Sequence, residues 1–487
     1  MAKHKKSRQG RQAKHKKQGP PSQHDRRARL DQPNDRRRRT ERAKFPLVGP
    51  MLKMVAAMAR ALDARMAFRL GIIIAGMLLA DDRRTVSAWL VAGGVLDDWD
   101  RFYDALTSLG RITDDVARVV LGLVVKKFAP GANERILLAI DDTPTKRYGR
   151  HVEGAGVHHH PTPGPADGKF LYGHNWVTLA WLAKHPTWGE IALPLLSRLY
   201  VREVDVPPLK AKHGWKFRTK LELGVDLVTW CVGQLRGLGI KAAVWLAVDG
   251  AYAKRPFLAP LLELGVTIVS RLRKDACLFD VPTPPKKAPR GRPRVYGKNK
   301  IHLAKRAAHH NGWETITYSC RGVEVTRQYK TFLATSELVG GVIRVVIVRF
   351  DDGWAPYFCT DSNASVRDIL ETVGDRWALE EHFHDVKETW GAGQQQVRNV
   401  WSNVACWNLN QWVFTLVELC SWDQPAEKLV NRSDRAWDNP SRRPSHADRR
   451  RAIAREMLDQ ELNSVLSHAP NLDKIRQLAE SLLALCV

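Results

Sequence analysis

Two short aliphatic runs that end in acids constrain this chain most. Residues 134–143 read ERILLAIDDT and residues 241–252 read KAAVWLAVDGAY. A brief apolar run bounded by polar text is the pattern of a strand buried on both faces. Each run stops at an aspartate, where a strand reaches the edge of its sheet. Between them the sequence predicts two more strands (LYGHNWVTLAWLAK and WGEIALPLLSRLYV) and a helix, KFRTKLELGVDLVTWCVGQLRGLG, ended by glycine. A short helix, PFLAPLLELG, then leads to the strand VTIVSRLR. Strands mixed with helices in this way indicate the α/β class.

The remaining text divides around that core. With 487 residues, two or three domains are expected. Residues 45–130 read as helical, with apolar residues at three and four spacings. Within them ADDRRTVSAWLVAGGVLDDWDRFYDAL looks like two short helices around a Gly-Gly turn. Such a pair suits a helix-turn-helix and suits a plain bundle equally. Arg83 and Arg84 are its candidate DNA contacts. The core occupies 131–274 and resumes at 343–430. Residues 275–342 interrupt it with a basic loop, VPTPPKKAPRGRPRVYGKNK, and alternating β text, a β-rich insertion. A Trp-rich apolar helix closes the core. Residues 431–487 form a polar linker and a charged terminal helix.

The charge selects partners. The formal net charge is +26 and the pI is about 10.0, which calls for a polyanion, nucleic acid first and an anionic membrane surface second. The first 44 residues hold seventeen Lys or Arg against four acids. That arm has too little apolar surface to fold alone and suits phosphate contact. It lacks the apolar stretch of a secretory signal, and the longest apolar run, LGIIIAGMLLA, is too short to span a bilayer. The seven cysteines show no C-x-x-C pairing and read as reduced thiols of a cytoplasmic protein.

Three acids stand out by position: Asp142 and Asp249 at strand ends, and Glu380 in the helix RWALEEHFHDVKETWG (376–391). At about 100° per residue, Arg376, Glu380 and Lys387 fall within roughly 40° of one another. Leu379, Phe383, Val386 and Trp390 form an apolar stripe beside them, so Glu380 belongs at the rim of a core. Carboxylates gathered at a sheet edge suit a hard divalent cation. The bland alternatives stand beside this. Strands often end in Asp where they meet solvent, and Arg376 with Glu380 is also an ordinary i,i+4 pair.

The helix resembles the Y-x2-R-x3-E-x6-K signature of cut-and-paste DDE transposases from bacterial insertion sequences. Arg376, Glu380 and Lys387 match every spacing, and Val373 stands where that family has tyrosine. AIDDTPT is similar to the first-aspartate motif and selects Asp142, the Asp before Thr, with Asp141 as its rival. AVDGAYAKRPFL is similar to the second and selects Asp249. RRTVSAWL and RRPSHADRRRAIAREML also look like text of this group. The resemblance implies a ribonuclease-H-like mixed sheet with flanking helices and a β-rich insertion, between helical N- and C-terminal regions. It implies that Asp142, Asp249 and Glu380 hold two Mg²⁺ ions (or Mn²⁺). Arg376 and Lys387 would clamp phosphates. The protein would nick double-stranded DNA at element ends, transfer the freed 3′-hydroxyls to target DNA, act as a homodimer on paired ends, and work at the bacterial nucleoid. The competing functions are a noncatalytic DNA-binding derivative and a Mg²⁺-dependent nuclease that does not join.

Other features are weighed singly. RGRPR (290–294) resembles an AT-hook core, with Arg292 and Arg294 either inserted in a minor groove or part of a basic loop. His158, His159 and His160 suit no standard zinc spacing and read as a polar loop. Trp354 lies near the place where some relatives stack a flipped base, and a core Trp is its other reading. Asn175 and Trp176 read as packing, and His382 and His384 as helix-surface residues. Deleting residues 1–44 is expected to weaken DNA binding and flatten its dependence on salt. Affinities titrated at several KCl concentrations test this, and an unchanged slope would exclude the arm as a phosphate contact.

Overall fold

The structure is a computed structural model that describes residues 46–128, 130–131, 134–160, 168–283, 294–432 and 437–467, with 475, 476, 478, 479 and 482. The basic arm, Arg292 and most of RGRPR therefore lie outside the described residues. Helices come first: α1 (Gly49–Ala59), α2 (Ala64–Leu79), α3 (Val86–Ala92), α4 (Trp99–Arg111) and α5 (Thr113–Phe128). Then come β1 (Arg135–Lys146), β2 (Gly156–His159), β3 (Phe170–His185), β4 (Gly189–Tyr200), α6 (Val206–His213), α7 (Lys220–Gly237), β5 (Ala243–Val248), α8 (Arg255–Glu263) and β6 (Thr267–Arg271). The insertion supplies β7 (Leu278–Phe279), β8 (Lys300–Ile301), α9 (Leu303–Ala308), β9 (Glu314–Cys320) and β10 (Val323–Ser336). The chain ends with β11 (Gly341–Phe350), β12 (Gly353–Cys359), α10 (Val366–Asp375), α11 (Trp377–Trp390), α12 (Val400–Ser421), α13 (Ala426–Leu429) and α14 (His446–Ser467).

The aliphatic runs become neighbours. β1 and β5 pair in parallel, β5 pairs with β6 in parallel, and β3 and β4 follow β1 as antiparallel partners on the other side. The local order β4-β3-β1-β5-β6 is that of a ribonuclease-H-like sheet. β12, β11 and β10 extend the sheet beyond β6 by antiparallel pairing. The insertion therefore continues the core sheet. Its β9–β10 hairpin curls over α10, where Tyr318 joins Ile369 and Leu370 in one apolar cluster. At the tip, Arg321 lies 3.8 Å from the centre of the Trp377 ring, at the start of α11.

The helical region is built onto the same core. α12 is buried nearly all round, the pattern of a central helix. Trp407 on α12 stacks flat on Trp176 of β3 with centroids 5.0 Å apart. Gly110 lets α4 touch α12, because a Cβ there would stand 1.9 Å from the Trp401 carbonyl oxygen. The helix pair α3–α4 thus turns its apolar side inward, onto α2 and α12. Its outer side presents Asp97, Asp98, Asp100 and Asp104 beside Arg101 and Arg111, a poor surface for DNA phosphate.

The terminal helix ties these layers together. Trp390 donates from Nε1 to His446 Nε2 (2.7 Å), so the His446 proton sits on Nδ1 and is donated to Glu418 (2.6 Å). Arg449 pairs with the same carboxylate. Together they hold Glu418 down to about 2, against the burial that would raise it. Three buried histidines work the other way. Burial pulls His174 and His382 down to about 3 and His158 to about 4, so all are neutral in the fold. The unfolded chain binds their protons below about pH 6.5. These three groups therefore favour the fold fully above about pH 6.5 and lose that contribution toward pH 4, while the buried carboxyls of Asp141 and Asp375, raised to about 7 and about 8, work in the opposite sense. Urea midpoints of the wild type and of His382→Gln across that range check this: the variant is expected to lose less stability on acidification, and an identical pH dependence would contradict it.

Candidate active site

The acids gather where β1 and β5 end. Ile140 faces Val248 in the parallel register, so Asp141 and Asp249 follow side by side on strands about 4.8 Å apart. Side chains alternate between faces along a strand. Leu137 and Ala139 pack with Ala378, Leu379 and Phe383 of α11, and Asp141 and Thr143 share that face. On β5, Trp245 packs on the α10 side with Ile369 and Leu370, so Asp249 points the same way. Glu380 projects from α11, whose Leu379, Phe383, Val386 and Trp390 are buried as the helical stripe requires.

Arg376 occupies the joint between α10 and α11. Its guanidinium spans two carboxylates, donating to Asp141 Oδ2 at 2.8 Å and to Glu380 Oε1 at 2.7 Å. Lys387, two turns on, donates to Thr143 Oγ1 at 2.7 Å. Asp142 lies on the opposite face of β1. There it accepts from Lys220 Nζ at 2.5 Å and from the Tyr252 hydroxyl at 3.1 Å. The two aspartates that the resemblance left as rivals thus have different partners. Asp141 rather than Asp142 stands with Arg376 and Glu380, because a regular strand cannot turn adjacent residues to one side.

The electrostatics ask for a cation. Burial pushes the Asp141 carboxyl up to about 7 even though Arg376 lowers it, and Asp142 and Asp249 add to the rise. Burial pulls Lys387 down to about 8. Asp141, Asp249 and Glu380 offer only carboxylate oxygens, the donor set of a hard divalent ion, and a buried acid among acids gains most from one. The residues fit Mg²⁺ in donor type and charge. Among the described residues no three His, Cys, Asp or Glu side chains form a ready-made metal cluster. In this arrangement the Arg376 guanidinium links two of the carboxylates.

A cleft of about 1120 Å³ opens over these residues, between α11 and the segment leading into α14. It is lined by Asp141, Asp142, Thr143 and Glu380 and by Arg442 and Arg443. A second cleft of about 1010 Å³ shares Thr143, Pro144, Lys387 and Glu388 with it and continues past Arg83, Lys146 and Arg398. The two hollows meet at these shared residues, the first lined mainly by acids and the second mainly by cations.

Residues 57–331, more than half the chain, match the family model described as DDE superfamily endonuclease. The chain belongs to that family. No curated protein matches the sequence significantly. The match in this DDE endonuclease covers Asp141, Asp142 and Asp249 but stops short of Glu380, whose place in the site rests on the geometry above.

The other sequence candidates divide. Arg83 is exposed at the second cleft. Arg84 is buried, and its guanidinium is spent on the carbonyls of Asp82 and Thr389 and on Asp81. Gly391, in the left-handed region, makes room for it, since a Cβ there would lie 2.4 Å from Arg84 Cβ. Arg294 is the first described residue after the basic loop of the insertion. His382 is a core residue bonded to Gln411 at 2.6 Å, not a surface one, whereas His384 is exposed. Trp354 is half-buried, with the Lys274 ammonium 5.0 Å from its ring centre. Asn175 and Trp176 pack as expected. Sequence reasoning passed over Lys220, Tyr252, Arg443 and His446, and of these all but Lys220 stood in a marked motif. Arg84→Ala is expected to lower the melting temperature by several degrees and to leave the salt slope of DNA binding unchanged. Thermal melts with KCl titrations test this, and a reduced slope at unchanged stability would make Arg84 a phosphate contact after all.

Proposed function

We propose that this DDE endonuclease is a DNA transposase of the insertion-sequence type, cutting element ends and joining the freed 3′-hydroxyls to target DNA. One observation carries the reading. Asp141 and Asp249 sit at adjacent ends of parallel strands, and Glu380 faces them from a helix whose Arg376 and Lys387 keep the spacing of the transposase signature. Binding alone has no need of Asp141 and Glu380 brought together on one guanidinium with Asp249 at the adjacent strand end, which disfavours a noncatalytic derivative.

Asp141, Asp249 and Glu380 would hold Mg²⁺, which supplies polarisation of the scissile phosphate and an activated water or hydroxyl. The chain's own residues do the rest. Arg376 and Lys387 bring positive charge to either side of Glu380 and steady the phosphate, Arg as a fork and Lys as a point charge. Lys387 also fixes the Thr143 hydroxyl at the floor of the cleft. On the far face of β1, Lys220 and Tyr252 neutralise Asp142 and anchor the strand end that presents Asp141. Action as a homodimer on paired ends, at the nucleoid, rests on the sequence resemblance. None of the described helices is long and apolar enough to cross a membrane.

The decisive assay incubates the protein with Mg²⁺ and candidate element ends and scores nicks and joined products. Joined products support the transposase, nicks without joining point to a nuclease, and binding without either points to the noncatalytic reading. Asp141→Asn, Asp249→Asn and Glu380→Gln are each expected to cut nicking about a hundredfold or more. Asp142→Asn should cost less than about tenfold and should keep any thermal stabilisation by Mg²⁺. The reverse pattern, with Asp142→Asn inactive and Asp141→Asn active, would overturn the assignment of faces.

A further inference from the structure

The insertion carries a feature the active site does not use. Between residues 294 and 349 there are ten Lys or Arg and three acids. Several of those cations lie against aromatic rings along one stretch of sheet. Lys274 stands over Trp354 at 5.0 Å. Trp354 is the register partner of Arg349 on the neighbouring strand. Arg349 lies 4.4 Å, and Lys330 4.8 Å, from the centre of the Trp313 ring. Lys330 donates to the Arg306 carbonyl at 2.9 Å, and the Arg306 guanidinium sits 4.2 Å over Phe332.

These contacts make one continuous row. Its face is fixed by the pleat. Val345 and Ile347 of β11 belong to the main core cluster, away from α10, and Arg349 alternates onto their side. The acids of the candidate site lie on the other, α10-facing side of the sheet, and the near end of the row reaches them round the end of the strands. β12 begins beside the end of β6, where Tyr357 pairs with Arg271. The Arg271 carbonyl lies 3.4 Å from where a Cβ of Gly250 would be, one residue after Asp249.

The cations of the row have no acidic partners among the described residues. Lys274, Arg306, Lys330 and Arg349 bond to carbonyls, an amide or ring faces, and none forms an ion pair. Partial burial, then the nearby Arg349 and Arg306, lower the Lys330 pKa. Like charges held this close, with their stems pinned by aromatic rings, are costly without a polyanion and are pre-ordered for one. A duplex backbone offers phosphates at regular intervals along such a row.

We propose that this row, Lys274–Trp354–Arg349–Trp313–Lys330–Arg306, is a track for the backbone of duplex DNA flanking the cleaved phosphate. It leads from the Asp249 edge of the site out along the insertion. The inference rests on the DNA-cleaving reading above and extends it to a surface outside the two clefts.

The test is a cycle of protein and DNA truncations. The triple variant Arg306→Gln, Lys330→Gln, Arg349→Gln is compared with the wild-type chain on a long duplex and on one trimmed close to the cleaved phosphate. On the long duplex the variant is expected to bind about tenfold or more weaker, with a salt slope reduced by roughly two to three. On the trimmed duplex the two proteins should bind alike. The charge-preserving variant Arg306→Lys, Arg349→Lys should keep the wild-type slope, which separates a phosphate contact from lost packing, and melting temperatures report whether each variant folds. Equal binding of wild type and triple variant to the long duplex, with wild-type cleavage intact, would overturn the track alone. A wild-type protein that neither binds nor cuts any duplex would overturn both the track and the function it rests on.

Discussion

Acidic side chains that converge on one face of a sheet repel one another, and something positive has to stand among them. In this protein Arg376 does so. It bridges Asp141 and Glu380 from the joint between two helices, and much of the local architecture serves that placement. The parallel register of β1 and β5 brings Asp141 beside Asp249. The buried stripe of α11 fixes the rotation that points Glu380 inward. The break at Arg376 sets its side chain over the strand end. Lys220 and Tyr252 take up the charge of Asp142 behind the strand, so that only one of the two adjacent aspartates loads the front face.

The second dependency is mechanical. α12 threads the centre of the molecule, and the helices before the sheet and the helix after it both pack against α12. Glu418 on α12 is a buried charge that would be costly alone, but His446 and Arg449 of α14 satisfy it, and His446 also accepts from Trp390 of α11. The end of α11 is therefore held by α14. Arg84 locks the same end from the other side through the Thr389 carbonyl. Residues far apart in sequence stiffen one helix terminus, while the other terminus carries Arg376.

Much of this was legible before the structure. The aliphatic runs declared the central strands. The three-and-four periodicity gave α11 its buried side, and the spacing of Arg376, Glu380 and Lys387 put them on one line. What stayed hidden has a physical pattern. Choosing between Asp141 and Asp142 needs the phase of the strand, and a run buried on both faces has no alternation to reveal it. Arg84 and His382 are polar residues whose burial depends on partners about 300 and 30 positions away, Thr389 and Gln411. The helix pair α3–α4 has the spacing of a DNA reader, but its packing on α12 and its acidic outer side could be judged only once the partner helix was known. The insertion's β text was readable, whereas its merger with the core sheet depended on pairing between β10 and β11.

That merger bears on how such a chain can be cut and joined by evolution or by hand. An insertion between two strands of a core is usually thought of as a detachable module with its own boundary. Here β10 is hydrogen-bonded into the parent sheet, the β9–β10 hairpin roofs α10, and Arg321 at its tip rests on the first ring of α11. Cysteine 320 packs so near Gly374 that a Cβ at the glycine would come within 3.2 Å of its sulfur. Excising the segment would strip one wall from α10, and transplanting it would carry away part of another protein's interior. The piece that interrupts the fold in sequence is, in three dimensions, one of its load paths, and substitutions at its tip should be inherited together with those at the start of α11.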